Sequence, residues 1–426
     1  MTNSSPHLIR AIGRWSLTAL VINSIIGSGI FGLPSEVARL LGPSSPLAYL
    51  VAALGIGSIV ACFAEVASRY ADAGGPYLYA RDAFGRFIGL QIAWLAWLVR
   101  ITAAGANANL FVNYLAEFWS PAVKPLPRFL ILTLLIGFLG LINYRGVRAG
   151  AQVSNVFTVA KLIPLGLFII FGLILTRSHP IPWDGTSPPT EHDWLRALLL
   201  LIFAYGGFEA ALLPMGEAKH PRRDAPFALF VGLAVVATVY TLVQLVVVST
   251  LPPSEPTSRP LAAAAREFLG PVGAAGISLG AMISVYGYLS SMMLNTPRLP
   301  FALAERGDFP RSFAAIHQQF RTPYRAIIAS ALCIWIVAIG GTFAWNVSLS
   351  AIARLFTYGA TCAALIVLRR KSSEQPRFRL PGGQIVALIG LGFSLTVITQ
   401  MGWSEIHVFG VTALFALANW AWVRKR

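Results

Sequence analysis

The chain has 426 residues, 56% of them hydrophobic and only 12% charged, where ordinary soluble domains carry roughly 25% charged residues. So few charges cannot cover a water-facing surface, which excludes a soluble globular protein and indicates one embedded in a membrane. The formal charge of +16 would suit nucleic acid if Lys and Arg shared one surface, but they alternate from loop to loop, and nucleic-acid binding is excluded with that.

In chain order, the polar start MTNSSPHLIRAIGR precedes an apolar block too long for a signal-peptide core and without a clear small-residue cleavage site, so it is expected to remain as the first helix. Blocks of about 20 apolar residues, enough to cross a bilayer, then recur as far as Trp422. They predict an all-α polytopic membrane protein of about twelve transmembrane helices, over residues 15–38, 46–68, 84–118, 128–142, 151–176, 194–217, 225–251, 270–296, 324–342, 346–368, 381–402 and 404–423. With the N-terminus in the cytoplasm, 23 of the 33 Lys and Arg fall in inner segments. Arg39, Lys124, Arg128, Arg177, Arg196, Arg259 and Arg266 fall in outer ones, and Arg100, Lys161 and Arg354 within helices. This positive-inside bias places both termini in the cytoplasm. Cys62, Cys333 and Cys362 lie singly in apolar stretches, without metal-site spacing or a disulfide framework.

Two helices carry glycines at mid-depth, where a lipid-facing backbone could not leave its polar groups unpaired. Gly27-Ser28-Gly29 in IIGSGIFGLP lies about 12 residues past Trp15, roughly 18 Å into a core of about 30 Å. Gly206-Gly207 in FAYGGFEAALLP lies about 13 residues past Trp194. Gly27, Leu33 and Pro34 align without gaps onto Gly207, Leu213 and Pro214. Interrupted helices at matching places in two halves point to an inverted-repeat transporter site, although glycine and proline also serve packing in membrane helices.

IIGSGIFGLP, AEVASRYADAGGPYLYARDAFG, NYRGVRAGAQVSNVFTVAKLIPL, FAYGGFEAALLPMGEAKHPRRDAP and NTPRLPFALAERGDFP occur in this order over most of the first eight helices. They resemble the amino acid-polyamine-organocation transporters, with motifs nearest to sodium-independent bacterial members and light-chain-like amino acid transporters. The resemblance implies a LeuT-like core of five plus five helices in opposite orientation, then two peripheral helices. The expected layout is a cytoplasmic tail (1–14), helices 1–5 (15–176), an extracytoplasmic loop (177–193) and helices 6–10 (194–369). A cytoplasmic loop (370–380), helices 11–12 (381–423) and a cytoplasmic C-terminus (424–426) follow.

Such breaks suit a zwitterion. The half-helix after Ile26, Gly27, Ser28 and Gly29 presents N–H groups and a positive dipole end to a carboxylate, and carbonyls around Phe203, Ala204, Tyr205, Gly206 and Gly207 would face an ammonium. By resemblance, Phe203 closes over substrate from outside. Lys161, roughly 15 Å deep in its helix, matches the lysine that replaces a sodium ion in sodium-independent members, with Ser290 and Ser291 as its expected hydroxyl neighbours. It is a candidate proton carrier as well as a fixed cation, since burial disfavours a charged amine. Glu209 could bind a cationic side chain, sense protons or brace a loop. Arg100 is expected to pair with polar side chains of its own helix face, Asn107 among them, Glu65 with inner-loop arginines, and Arg354 has no evident role.

The expectation is therefore a sodium-independent symporter or exchanger of amino acids, or else an antiporter of cationic amino acids or polyamines. It would sit in a bacterial plasma membrane, without cofactor, metal or obligate protein partner, its partners being the amine substrate, the bilayer and protons. A membrane hydrolase is disfavoured, since all six His lie away from helix centres and Glu209 has no second carboxylate at that depth. A channel or nutrient sensor on the same fold stays open.

Overall fold

The computed structural model describes residues 13–70, 75–146, 151–175, 188–217, 220–252, 257–371, 376 and 378–424; at 151–160, 213–217, 221 and 222 it gives the main chain alone. Expectations for the tail before Gly13, the loop at 176–187 and the side chains of Leu213 and Pro214 lie outside these residues. Among the described residues there are nine spans long and apolar enough to cross a membrane, and three shorter apolar helices complete the twelve.

The first crossing is in pieces: α1 (Arg14–Ile25), α2 (Ser28–Gly32) and α3 (Pro34–Leu41). Helical geometry is lost at Ile26 (ψ 92°) and Gly27 (φ −123°, ψ −143°), whereas Leu33 keeps helical angles and lets α2 run into α3. Then come α4 (Ser45–Ala67), the loop helix α5 (Gly75–Phe84), α6 (Arg86–Leu115), α7 (Pro125–Arg145) and α8 (Ala151–Leu175). The sixth crossing opens with α9 (Glu191–Tyr205), started by a capping box in which Thr190 and Asp193 satisfy each other's backbone N–H. Past Gly206 and Gly207 it continues as a 3-10 helix over Phe208–Glu217. The rest are α10 (Pro221–Thr250), α11 (Pro260–Asn295), the loop helix α12 (Arg298–Glu305), α13 (Tyr324–Gly340), α14 (Phe343–Lys371), α15 (Gly383–Ile398) and α16 (Trp403–Arg424).

Several limits differ from those expected. The predicted third span ran through Gly85, whose φ of 91° ends α5 and starts α6 anew. The fourth begins three residues earlier, because Pro125 at the first helical position needs no N–H partner there. That puts Arg128 inside the first turn, where its guanidinium reaches back to the carbonyls of Ala338, Ile339 and Gly341. The eighth begins at Pro260 and bends at Gly270 (φ 65°), ahead of Pro271.

Burial sorts the crossings: 78% of the α9 region and 72% of α14 are buried, against 17% of α16. The sixth and tenth crossings thus form the centre and the twelfth is peripheral. Exposed Leu134, Phe138 and Leu141 on α7 and Ile328, Leu332 and Ile336 on α13 recur at helical spacing and face lipid.

Charged clusters join loops that the charge alternation assigns to one side. Glu117 after α6 meets Arg259 and Arg266 at the start of α11 on one side. On the other, Glu65 binds Arg369 and Arg69, and Asp308, 1% exposed, takes Tyr77 at 2.5 Å, Arg86 at 2.7 Å and Arg81 at 3.4 Å. Burial and the adjacent Asp308 carboxylate hold the Tyr77 phenol above its usual pKa.

Candidate functional site

The two breaks lie against each other. A Cβ at Gly207, whose φ is 113°, would fall 2.2 Å from the Ser24 carbonyl oxygen, and one at Gly29 would fall 2.7 Å from Ala204 Cα. Both glycines are therefore required by backbone meeting backbone. Gly27 differs, because a Cβ there would meet the Tyr288 ring of α11 at 3.2 Å.

Each freed carbonyl needs a donor in this dry interior. The Lys161 amine, 2% exposed, donates to Ile26 O at 2.8 Å and Asn23 O at 3.2 Å. The Tyr240 hydroxyl of α10 lies 3.2 Å from both Ile25 O and Ala204 O, so one side chain bridges the two broken helices. Phe203 O accepts from Gly206 N. Among the described residues no hydrogen bond reaches the carbonyls of Tyr205 or Gly206. The Tyr205 hydroxyl itself donates to Tyr49 O at 3.0 Å. Ser28 Oγ is buried and has no partner among the described residues. Phe203 sits edge-on to Phe343 at the start of α14, with ring centres 6.4 Å apart, and Phe343 in turn abuts Gly32.

Glu209 lies in a closed set of bonds. One oxygen accepts from Arg354 at 2.5 Å; the other accepts from the Tyr358 hydroxyl at 2.9 Å and from Gly207 N at 2.9 Å. Arg354, without a role in the sequence, is this carboxylate's counter-charge, and its guanidinium fills the space beside Gly206.

Two expected pairings are corrected. Among the described residues no hydrogen bond joins Lys161 to Ser290 or Ser291; Ser291 is exposed and bonded to Asn295. Gly280 of α11 touches Pro164, three residues past Lys161, and Phe268 meets Phe168, so the two helices run in opposite senses. In that register Ser284, buried and without a partner among the described residues, lies level with the backbone of Lys161, and Ser291 about 10 Å further along. Arg100 donates to the Asn295 carbonyl at 3.3 Å rather than to Asn107, which is about two turns away and donates to Ala103 O.

Twelve crossings around two mutually packed breaks at mid-depth are the architecture of a secondary transporter. The model of the amino acid permease family matches residues 12–417. The chain belongs to that family. It is 28% identical to a methylthioribose transporter of Bacillus subtilis, over 97% of this chain and 91% of that protein. It is 27% identical to a serine/threonine exchanger of the same organism, over 97% of this chain and 95% of that one. With the mouse large neutral amino acids transporter small subunit 2 it shares 29% identity, over 95% of this chain and 78% of that protein.

Tyr240, Tyr288 and Ser284 escaped the sequence reading. A tyrosine hydroxyl deep in an apolar run such as VYTLVQLVVV does need a partner, and that was the available signal for Tyr240.

Proposed function

We propose that the chain is a sodium-independent secondary active transporter that moves neutral amino acids by alternating access, as a proton symporter or an exchanger. Substrate would sit between the two breaks, its carboxylate toward Ser28 and Gly29 and its ammonium toward the carbonyls of Tyr205 and Gly206. The observation that carries this reading is the Lys161 amine bonded to Asn23 O and Ile26 O, since it supplies at the first break the positive charge a sodium ion would otherwise bring. A neutral substrate is favoured over cationic amino acids or polyamines because the Glu209 carboxylate is already matched by Arg354.

The same reading puts the chain in a bacterial plasma membrane with both termini in the cytoplasm, supported by the loop charge bias and the Bacillus relatives. It acts without an obligate second chain. The test is counterflow in proteoliposomes: internal substrate should accelerate uptake of labelled substrate, with or without sodium, which a channel or sensor would not do. Ligands come from a thermal-shift screen of amino acids, polyamines and methylthioribose, since whatever binds the folded state raises its melting temperature.

A further inference from the structure

We propose that a cavity between the ends of α7, α11 and α13, on the arginine-rich side of the bundle, binds the phosphodiester headgroup of an anionic phospholipid. The cavity has a volume of about 470 Å³ and is lined by Arg145, Arg298, Arg321, Asn143, Leu294 and Ile327, among others, with no Asp or Glu in its wall. The arginines that tie the loops on this side together are neutralised by Glu65 and Asp308. Arg145, Arg298 and Arg321 form no ion pair among the described residues, so three guanidinium charges face one cavity uncompensated.

The backbone is shaped toward the same end. Arg321 (φ 56°) is the one non-glycine residue with positive φ among those described, a conformation that costs energy and persists only where its surroundings enforce it. They do so here: Arg321 N donates to His317 O, His317 N to Thr322 O at 2.8 Å, and Thr322 Oγ1 to Tyr144 O of α7 at 2.8 Å. Pro323 caps the 17-residue α13 and lines the cavity, which puts the positive end of that helix dipole beside the arginines.

A free phosphate would need only these charges. Leu294 and Ile327 add an apolar wall, and the lipid-facing stripes of α7 (Phe138, Leu141) and α13 (Ile328, Leu332) run up to the cavity. A headgroup in the cavity would therefore lay its acyl chains on surface already turned to lipid. The proposal rests on the topology proposed above only in naming this leaflet the cytoplasmic one.

The experiment is native mass spectrometry and thermal shift of the full chain in nanodiscs of phosphatidylcholine alone or mixed with phosphatidylglycerol. Phosphatidylglycerol should stay bound and raise the melting temperature. The combined variant R145Q/R298Q/R321Q should hold it about a hundredfold more weakly, about fivefold for each arginine lost. The control R306Q/R311Q/R379Q, exposed arginines that do not line the cavity, should behave as wild type. Equal loss in both variants would reduce the effect to general surface charge and overturn the site. Displacement of the lipid by millimolar inorganic phosphate would overturn the lipid in favour of a free anion. Should the combined variant not fold, a diazirine-bearing phosphatidylglycerol on wild type decides: labels within 294–298 and 319–327 support the site, and labels elsewhere refute it.

Discussion

Arg354 Nη1 of α14 and Glu209 Oε1 at the second break lie 2.5 Å apart, across 145 positions of sequence. Arg354 is almost wholly buried and the Glu209 side chain only 18% exposed, so neither charge has much water to fall back on. Breaking a buried pair by removing one partner costs about 3–5 kcal/mol, and the slight exposure of Glu209 moves the expectation to the lower end. Arg354→Gln should lower the melting temperature and, by freeing the carboxylate, shift ligand preference toward cationic amino acids. Glu209→Gln should weaken neutral and cationic ligands alike. Thermal-shift titrations with leucine and lysine check both. A loss confined to lysine in Glu209→Gln would make the carboxylate a selectivity element instead.

Tyr240 bridges the breaks through a single hydroxyl. Tyr240→Phe keeps the ring packed between Tyr49 and Tyr205 but leaves Ile25 O and Ala204 O without their donor, at about 1–3 kcal/mol. Stability should fall by that amount and transport rate should fall with it, since the two half-helices lose their common tie. Unchanged unfolding and uptake would show that water replaces the hydroxyl.

The break glycines should not behave alike. Gly207→Ala forces a Cβ against a backbone oxygen at positive φ, and neither the oxygen nor the backbone can yield, so a poorly folded protein is expected. Gly27→Ala presses only on the Tyr288 ring at 3.2 Å. That variant should stay folded and bind substrate less well. Size-exclusion profiles together with ligand-induced thermal shifts distinguish the two.

The breaks themselves were legible because glycine pairs at mid-depth are costly without a function, and the grouping of loops was legible because arginines alternate. What sequence could not carry is rotation and pairing. Arg354 looked idle because its partner lies 145 residues away on another crossing. Ser290 and Ser291 rested on the family resemblance, and nothing local states which face of α11 meets α8; the contact of Gly280 with Pro164 shows that face only in three dimensions. The helices α5 and α12 were missed for a different reason: at 10 and 8 residues they are far below the length on which a search for spans depends.

Transport should need no sodium, and Lys161 is the reason. Its amine already takes the carbonyls of Asn23 and Ile26, at 3.2 and 2.8 Å, in a site 2% exposed. A sodium ion seeking those oxygens would lie about 4 Å from an ammonium, a repulsion of about 4 kcal/mol even at an effective dielectric constant of about 20. That weakens binding by about a thousandfold. A neutral amine would still fill the space and hold the same oxygens, so coupling at this position fails in either protonation state. Replacing external sodium by choline or potassium should leave wild-type uptake unchanged. Lys161→Met keeps the bulk but strands two buried carbonyls, at about 1–3 kcal/mol each, and should lose most uptake along with stability. If Lys161 exchanges its proton during the cycle, an inward proton gradient should drive wild-type accumulation, and whatever uptake Lys161→Met retains should ignore that gradient. A steep sodium dependence in the wild type would instead show that the cation enters elsewhere, and that the bonds of Lys161 only brace the first break.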